Sequence, residues 1–222
     1  MSKKFKLGVV GDPIEHSLSP FIHSRFSRNE NINLNYLAYR VNNDELDIFI
    51  KEFFQDKEAK GLNITLPHKK RAALLEGKIS QEARYINAVN TIVKENDKLH
   101  LFSTDGAGFI NDIENKKFNL KNKNILIIGA GAAVESILYR VATAKPMKIT
   151  VINRTIEKAD RLIRKFGNMT KIRSEVEIDK PFDLVINGSS AGLTGDFFPE
   201  ENIPLTSKTY FYDLNYSLTE TP

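Results

Sequence analysis

I-L-I-I-G-A-G-A-A-V (Ile125–Val134), followed by I-T-V-I-N-R-T (Ile149–Thr155), is the stretch on which the reading of this 222-residue chain turns. The strand Ile125–Ile128 runs into Gly129-Ala130-Gly131, a helix follows, and a second strand ends in Asn153-Arg154-Thr155. Strand, glycine-rich turn, helix and strand form a dinucleotide-binding unit. Glycines let backbone amides approach a pyrophosphate, and the helix N-terminus adds partial positive charge. The tip of the second strand selects the nucleotide. A carboxylate there holds ribose hydroxyls and repels a 2′-phosphate, whereas a guanidinium binds that phosphate through two parallel hydrogen bonds. Neutral Asn153 beside Arg154 therefore predicts NADP.

Outward from this unit, strand and helix keep alternating. Downstream, strands are expected at Thr170–Arg173, Asp183–Asn187 and Tyr210–Asp213, with helices over Ala132–Ala144 and Ile156–Phe166. Upstream, strands are expected at Phe5–Val10, Leu34–Val41 and Gly61–Thr65, and Thr91–Glu95 and Leu99–Ser103 flank Asn96-Asp97 as a hairpin. Helices are expected at Pro20–Arg28 with Ser19 as cap, Asp44–Phe54, Pro67–Leu75, Ser80–Asn87 and Gly106–Asn115. The fold class is α/β, with parallel sheets covered by helices on both faces. The polar junction N-K-K-F-N-L-K-N-K-N divides it into an N-terminal αβα domain, residues 1–118 with a linker helix, and a Rossmann-like doubly wound domain, residues 119–222. A complete doubly wound domain has six strands; five are expected here before the sequence ends.

Composition excludes several classes. With no cysteine there is no disulfide, thiolate zinc site or cysteine nucleophile. No apolar run approaches the ~18 residues that cross a bilayer, and the N-terminus shows no secretory signal, so a cytoplasmic protein is expected. The net charge of +4 comes from lysines and arginines scattered among acidic neighbours. That pattern fits an anionic small molecule and gives no nucleic-acid footprint. Gly188-Ser189-Ser190-Ala191-Gly192 matches a hydrolase nucleophile elbow, but no helix-forming sequence and no histidine follow it. His16, His23, His68 and His100 lack metal spacing and read as surface histidines, His68 having the most suggestive neighbours.

Four polar clusters lie at or just beyond strand ends in the first half: His16–Pro20, Asn63–Lys69, Ala88–Thr91 and Ser103–Phe109. Two hydroxyls at a helix N-terminus can hold a carboxylate. Asn, Thr and Asp can fix hydroxyls, and an ammonium beside a carboxylate can exchange a proton with an alcohol. Taken in order, Ser17-Leu18-Ser19-Pro20, Asn63 to Lys69, Ala88 to Thr91, Ser103 to Gly106, Gly129 to Ala133, Asn153 to Thr155 and Tyr212 to Tyr216 resemble the motifs of the shikimate dehydrogenases, over residues 7 to 222.

The resemblance implies NADP-dependent interconversion of 3-dehydroshikimate and shikimate, in aromatic amino-acid biosynthesis. It implies Lys69 as catalytic acid/base, with Asp105 holding it and a ring hydroxyl. Ser17 and Ser19 would bind the carboxylate, and Thr65, Asn90 and Tyr216 would complete the substrate site. Gly129, Ala130, Gly131, Ala132 and Ala133 would take the pyrophosphate, Asn153, Arg154, Thr155 and Lys158 the 2′-phosphate, and Leu214 would lie near the nicotinamide. No metal is implied, and the assembly would be a monomer or homodimer. Three positions depart from the family pattern. Ser103 stands for Asn, Asn87 for Gly, and Ala132 for a glycine whose absence brings a Cβ towards the pyrophosphate. Family members also continue past Thr-Pro through a strand and helices that bring a glutamine to the substrate, so weak turnover is expected of these 222 residues alone. A quinate/shikimate dehydrogenase and a non-catalytic sensor of shikimate-like acids are the alternative readings.

Overall fold

The computed structural model describes residues 4–174, 180–189 and 203–215. The chain forms two compact units, up to Thr104 and from Asp105 onward. The sequence boundary after residue 118 placed the helix Asp105–Asn115 with the first domain; its packing against the helix Ala132–Thr143 places it in the second unit.

In the first unit β1 (Lys4–Gly11), β2 (Asn33–Arg40) and β3 (Ala59–Ile64) run parallel, with β1 between the other two. The hairpin β5 (Thr91–Glu95) and β6 (Lys98–Phe102) joins β3 antiparallel, and a two-residue β4 (Lys78–Ile79) closes the order β2-β1-β3-β5-β6-β4. This sheet is therefore mixed: the expected hairpin sits beside the parallel strands, with β5 antiparallel to β3 and β6 parallel to β4. Asn96 and Asp97 make the hairpin turn at φ +48° and +58°, the left-handed pair that a tight hairpin requires. The helices are α1 (Ser19–Asn29), α2 (Leu46–Phe53, after a 3-10 turn at Asn43–Glu45), α3 (Lys69–Ala72) and α4 (Gln81–Ile86). The α2 helix turns Leu46, Ile50 and Phe53 into a core shared with Leu62, Ile64, Ile92 and Leu101.

The expected helix Pro67–Leu75 shrinks to the single turn α3. Beyond it, Ala73, Leu74 and Leu75 donate to the carbonyls of Lys70, Arg71 and Ala72, tight three-residue turns that do not propagate a helix. Asn87 ends α4 at φ 57° and ψ 47°. A left-handed residue is needed there, and asparagine tolerates that conformation better than other non-glycine side chains.

The second unit is a parallel sheet ordered β11-β10-β7-β8-β9: β7 (Asn124–Ile128), β8 (Lys148–Ile152), β9 (Ile172–Arg173), β10 (Leu184–Asn187) and β11 (Tyr210–Asp213). Its helices are α5 (Asp105–Asn115), α6 (Ala132–Thr143) and α7 (Ile156–Phe166). Ile125, Leu126 and Ile127 are fully buried, as befits a central strand covered on both faces. The amphipathic α7 buries Ala159, Leu162 and Phe166; losing the fully buried Phe166 ring to alanine would cost about 3–5 kcal/mol. The strand order reverses at β7, between β8 and β10. A doubly wound sheet binds ligand at that switch point, beyond the carboxyl ends of the strands.

Candidate functional site

Strand register brings the polar clusters of the first unit together. Asn63 at the end of β3 pairs with Thr91 at the start of antiparallel β5, and Thr91 pairs with Phe102 at the end of β6. The end of β3, the start of β5 and the end of β6 thus share one sheet edge. A hydrogen-bond chain runs along it. The Tyr36 hydroxyl donates to Asn63 Oδ1 at 2.8 Å, and Asn63 Nδ2 donates to Thr91 Oγ1 at 3.4 Å. The Thr91 hydroxyl donates to Asn90 Oδ1 at 2.9 Å, and Asn90 Nδ2 donates to Thr104 Oγ1 at 3.0 Å. The Asn90 carbonyl also takes the Thr104 backbone amide at 3.0 Å, fixing the chain immediately before Asp105.

Thr65 is half-buried beside Gly11, where an added Cβ would come within 2.6 Å of the Thr65 methyl. Half-buried Lys69 opens α3, and its carbonyl accepts the Val89 amide at 2.9 Å, tying it to the Ala88–Thr91 cluster. Ser17 and Ser19 are half-buried at the start of α1. Ser19 was expected to cap that helix. The cap position is Leu18, without a side-chain bond, and Ser17 Oγ accepts the Ser19 amide at 3.3 Å. The Ser17 proton therefore points away from that amide. Tyr216 lies outside the described residues.

His68 is a correction. It is fully buried, with Nε2 2.8 Å from the Val41 carbonyl and Nδ1 3.3 Å from Asn43 Oδ1. Both ring nitrogens serve the 41–43 segment, which leaves Lys69 as the cluster's candidate for proton exchange. His23 is half-buried rather than on the surface. It stacks on Tyr36 at 4.2 Å and 6°, and burial holds its imidazole below the usual histidine range. Burial likewise pushes the Tyr36 phenol up to about 12, so it is a neutral hydroxyl across the working range. Sequence reasoning missed Tyr36, Asn63, Thr91 and Thr104. The last three sit inside the quoted motifs, but Tyr36 has no signal beyond an ordinary strand tyrosine.

In the second unit Gly129 has φ +105°, and an added Cβ would lie 2.7 Å from the Gly188 backbone. The Gly188-Ser189 pair that imitates a nucleophile elbow is thus a packing contact under the turn; residues 190–192 of that match are outside the described residues. Gly131, Ala132 and Ala133 are exposed, and α6 starts at Gly131 without any side-chain cap on its first amides. Asn153 accepts the Ala130 amide at 3.1 Å and donates to the Thr155 carbonyl at 2.8 Å, joining the turn to the β8 end. Arg154, Thr155 and Lys158 are exposed there, with no carboxylate in the 153–156 stretch. Leu214 follows β11, and its amide donates to the Asn187 carbonyl at 2.8 Å. Asn215, Ser189 and Asp213 extend this network: Asn215 Nδ2 donates to the Ser189 carbonyl at 2.7 Å, and Asn187 Nδ2 to Asp213 Oδ1 at 3.3 Å. Uncapped helix amides, a glycine turn and exposed cations fit a dinucleotide carrying a 2′-phosphate. Among the described residues no helix is long and apolar enough to cross a membrane.

Comparison with known proteins agrees with this geometry. Residues 9–92 match the shikimate dehydrogenase substrate binding domain, and residues 112–194 match the shikimate / quinate 5-dehydrogenase family. The chain is 40% identical over 214 residues to shikimate dehydrogenase (NADP(+)) of Legionella pneumophila, covering 96% of this chain and 79% of that one. The crystal structure of shikimate dehydrogenase from Aquifex aeolicus superposes with TM-score 0.81 at 30% identity, over 99% of this chain and 82% of that one. The Thermus thermophilus shikimate 5-dehydrogenase in complex with NADP(H) and shikimate gives TM-score 0.77 at 28% identity, over 95% and 78%. With both family models matched and 40% identity over most of each chain, the chain belongs to the shikimate dehydrogenase family.

Proposed function

We propose that the protein catalyses the reversible, NADP-dependent reduction of 3-dehydroshikimate to shikimate. The observation that carries this reading is the single sheet edge on which Asn63, Thr91, Asn90 and Thr104 are linked, with Lys69 tied to it through Val89. NADPH, when bound, supplies the hydride for the ketone carbon. Everything else falls to side chains.

Ser17 and Ser19 donate to the substrate carboxylate, the Ser17 proton being released for this because its oxygen already accepts the Ser19 amide. Thr65, Asn90, Asp105 and Tyr216 hold ring hydroxyls. As the carbonyl carbon is reduced, negative charge grows on its oxygen. The Lys69 ammonium stabilises that charge and gives up a proton to complete the alcohol. In the reverse direction the neutral amine removes the same proton. Asp105, next in the chain to the fixed Thr104, keeps the ammonium oriented. The amides of Gly129 to Ala133 take the pyrophosphate, Arg154 with Asn153, Thr155 and Lys158 takes the 2′-phosphate, and Leu214 packs by the nicotinamide.

Lys69→Ala tests the acid/base role. Turnover should fall by several orders of magnitude with a much smaller change in shikimate affinity, because the proton matters most when charge develops. Near-normal kcat with only affinity lost would remove Lys69 from the chemistry.

A further inference from the structure

The glycine turn has an anchored half and an open half. The Gly129 amide continues the β7–β8 ladder to the Ile152 carbonyl at 2.8 Å. One residue on, the Ala130 amide has left the ladder and donates to Asn153 Oδ1 at 3.1 Å. Ala130 is 1% exposed, whereas Gly131, Ala132 and Ala133 are all exposed. The turn meets a pyrophosphate through that open half, and the bond to Asn153 holds the chain immediately before it.

Asn153 suits this task because its side chain has two unlike ends, an acceptor oxygen and a donor nitrogen. The oxygen faces the Ala130 amide, and the nitrogen donates to the Thr155 carbonyl at 2.8 Å. An amide on one side and a carbonyl on the other leave the group one orientation. The Thr155 carbonyl also accepts the Lys158 amide at 3.1 Å, so the loop after β8 is fixed in turn by the start of α7. Asn153 thus ties the glycine turn to a loop that is itself held. Phosphate oxygens accept hydrogen bonds, as the Asn153 oxygen does, so that oxygen can reach the cofactor only through a protein donor. The second Nδ2 hydrogen is left for the 2′-phosphate.

Resting on the NADP reading above, we infer that Asn153 is a positioning residue for the cofactor's pyrophosphate, which it serves through the Ala130 amide. The tie does not involve the 2′-phosphate. NAD should therefore need it as NADP does, unlike the guanidinium of Arg154.

The test is calorimetric titration of Asn153→Ala and Asn153→Asp with each nucleotide. In Asn153→Ala the Kd for NAD should rise about tenfold, the scale of a misplaced hydrogen-bond donor, and that for NADP at least as much. KM for shikimate at saturating NADP should move by less than about twofold. Asn153→Asp restores an acceptor for Ala130 and puts a negative charge beside the 2′-phosphate. It should bind NAD within about threefold of the parent and NADP at least about tenfold more weakly. An asparagine that serves only the fold would regain both nucleotides together or neither. Should Asn153→Ala fail to fold, hydrogen exchange in the parent protein decides. The Ala130 amide should be protected, and more so with ADP, which carries a pyrophosphate and no 2′-phosphate. Unchanged NAD binding in a folded Asn153→Ala, NAD binding as weak in Asn153→Asp as in Asn153→Ala, or an Ala130 amide that exchanges as fast as Gly131 overturns the role of Asn153. Absence of NADP binding by the parent protein overturns instead the cofactor reading on which it rests.

Discussion

Gly129 and Gly131 stand two residues apart in one turn, and a methyl group added at each should have opposite consequences. At Gly129 the backbone sits at φ +105°, and the new Cβ would lie 2.7 Å from Gly188 C and O and 2.8 Å from Ser189 N. Those are backbone atoms, so no side chain can rotate aside. An L-residue at such a φ costs about 1–3 kcal/mol, and the overlap costs a further ~1–3 kcal/mol. Gly129→Ala should therefore lose roughly 2–6 kcal/mol, a fall in Tm of about 8–24 °C for a unit of this size. At Gly131 the backbone is ordinary, φ −84° and ψ −175°, and nothing lies within 4 Å of an added Cβ. Gly131 is the N-cap of α6, so Gly131→Ala should cost only about 0.5–1.5 kcal/mol, well below the loss at Gly129. Its methyl instead occupies the exposed approach to the α6 amides. NADP affinity should fall roughly ten- to a hundredfold as one or two amide contacts to the pyrophosphate are lost. Thermal unfolding and calorimetric titration with NADP separate the effects. A Gly131→Ala protein that binds NADP like the parent refutes the assignment of this turn to the pyrophosphate. An unmoved Tm in Gly129→Ala refutes the packing argument.

Two further outcomes follow from the same geometry. Arg154→Ala should weaken NADP binding about ten- to a hundredfold and leave NAD binding nearly untouched; equal losses for both would mean that Arg154 serves the fold. Because burial lowers the His23 pKa, the unfolded chain takes up that proton at a higher pH than the folded one. No penalty applies above about pH 6.5, where both states are neutral, and stability declines as pH falls below it. His23→Phe keeps a ring on Tyr36 and should flatten the loss of Tm between pH 7 and 5; parallel slopes in parent and variant would contradict this.

Much of the architecture was legible because it rests on local pattern. The strands Lys148–Ile152 and Tyr210–Asp213 and the helix Ile156–Phe166 stand where periodicity puts them. The parts misread depend on contacts between distant segments. His68 looked like a surface side chain until the 41–43 segment was found against both of its nitrogens. The helix after Pro67 stopped after one turn, and the strand at Ile172–Arg173 is only two residues long. The substrate clusters were visible as motifs, but that Asn63, Thr91 and Asn90 form one row depends on the antiparallel register of β3 and β5. Tyr36 could not be found from sequence at all, since only the fold sets its hydroxyl against Asn63 Oδ1.

The most direct measurement is the absorbance of NADPH formed when the purified protein meets NADP and shikimate, with quinate and NAD in parallel. The account predicts steady NADP reduction with shikimate, 3-dehydroshikimate as the product, and much slower reaction when NAD replaces NADP. Binding of both ligands by calorimetry without any NADPH formed would contradict it and leave a protein that recognises the acid without transforming it.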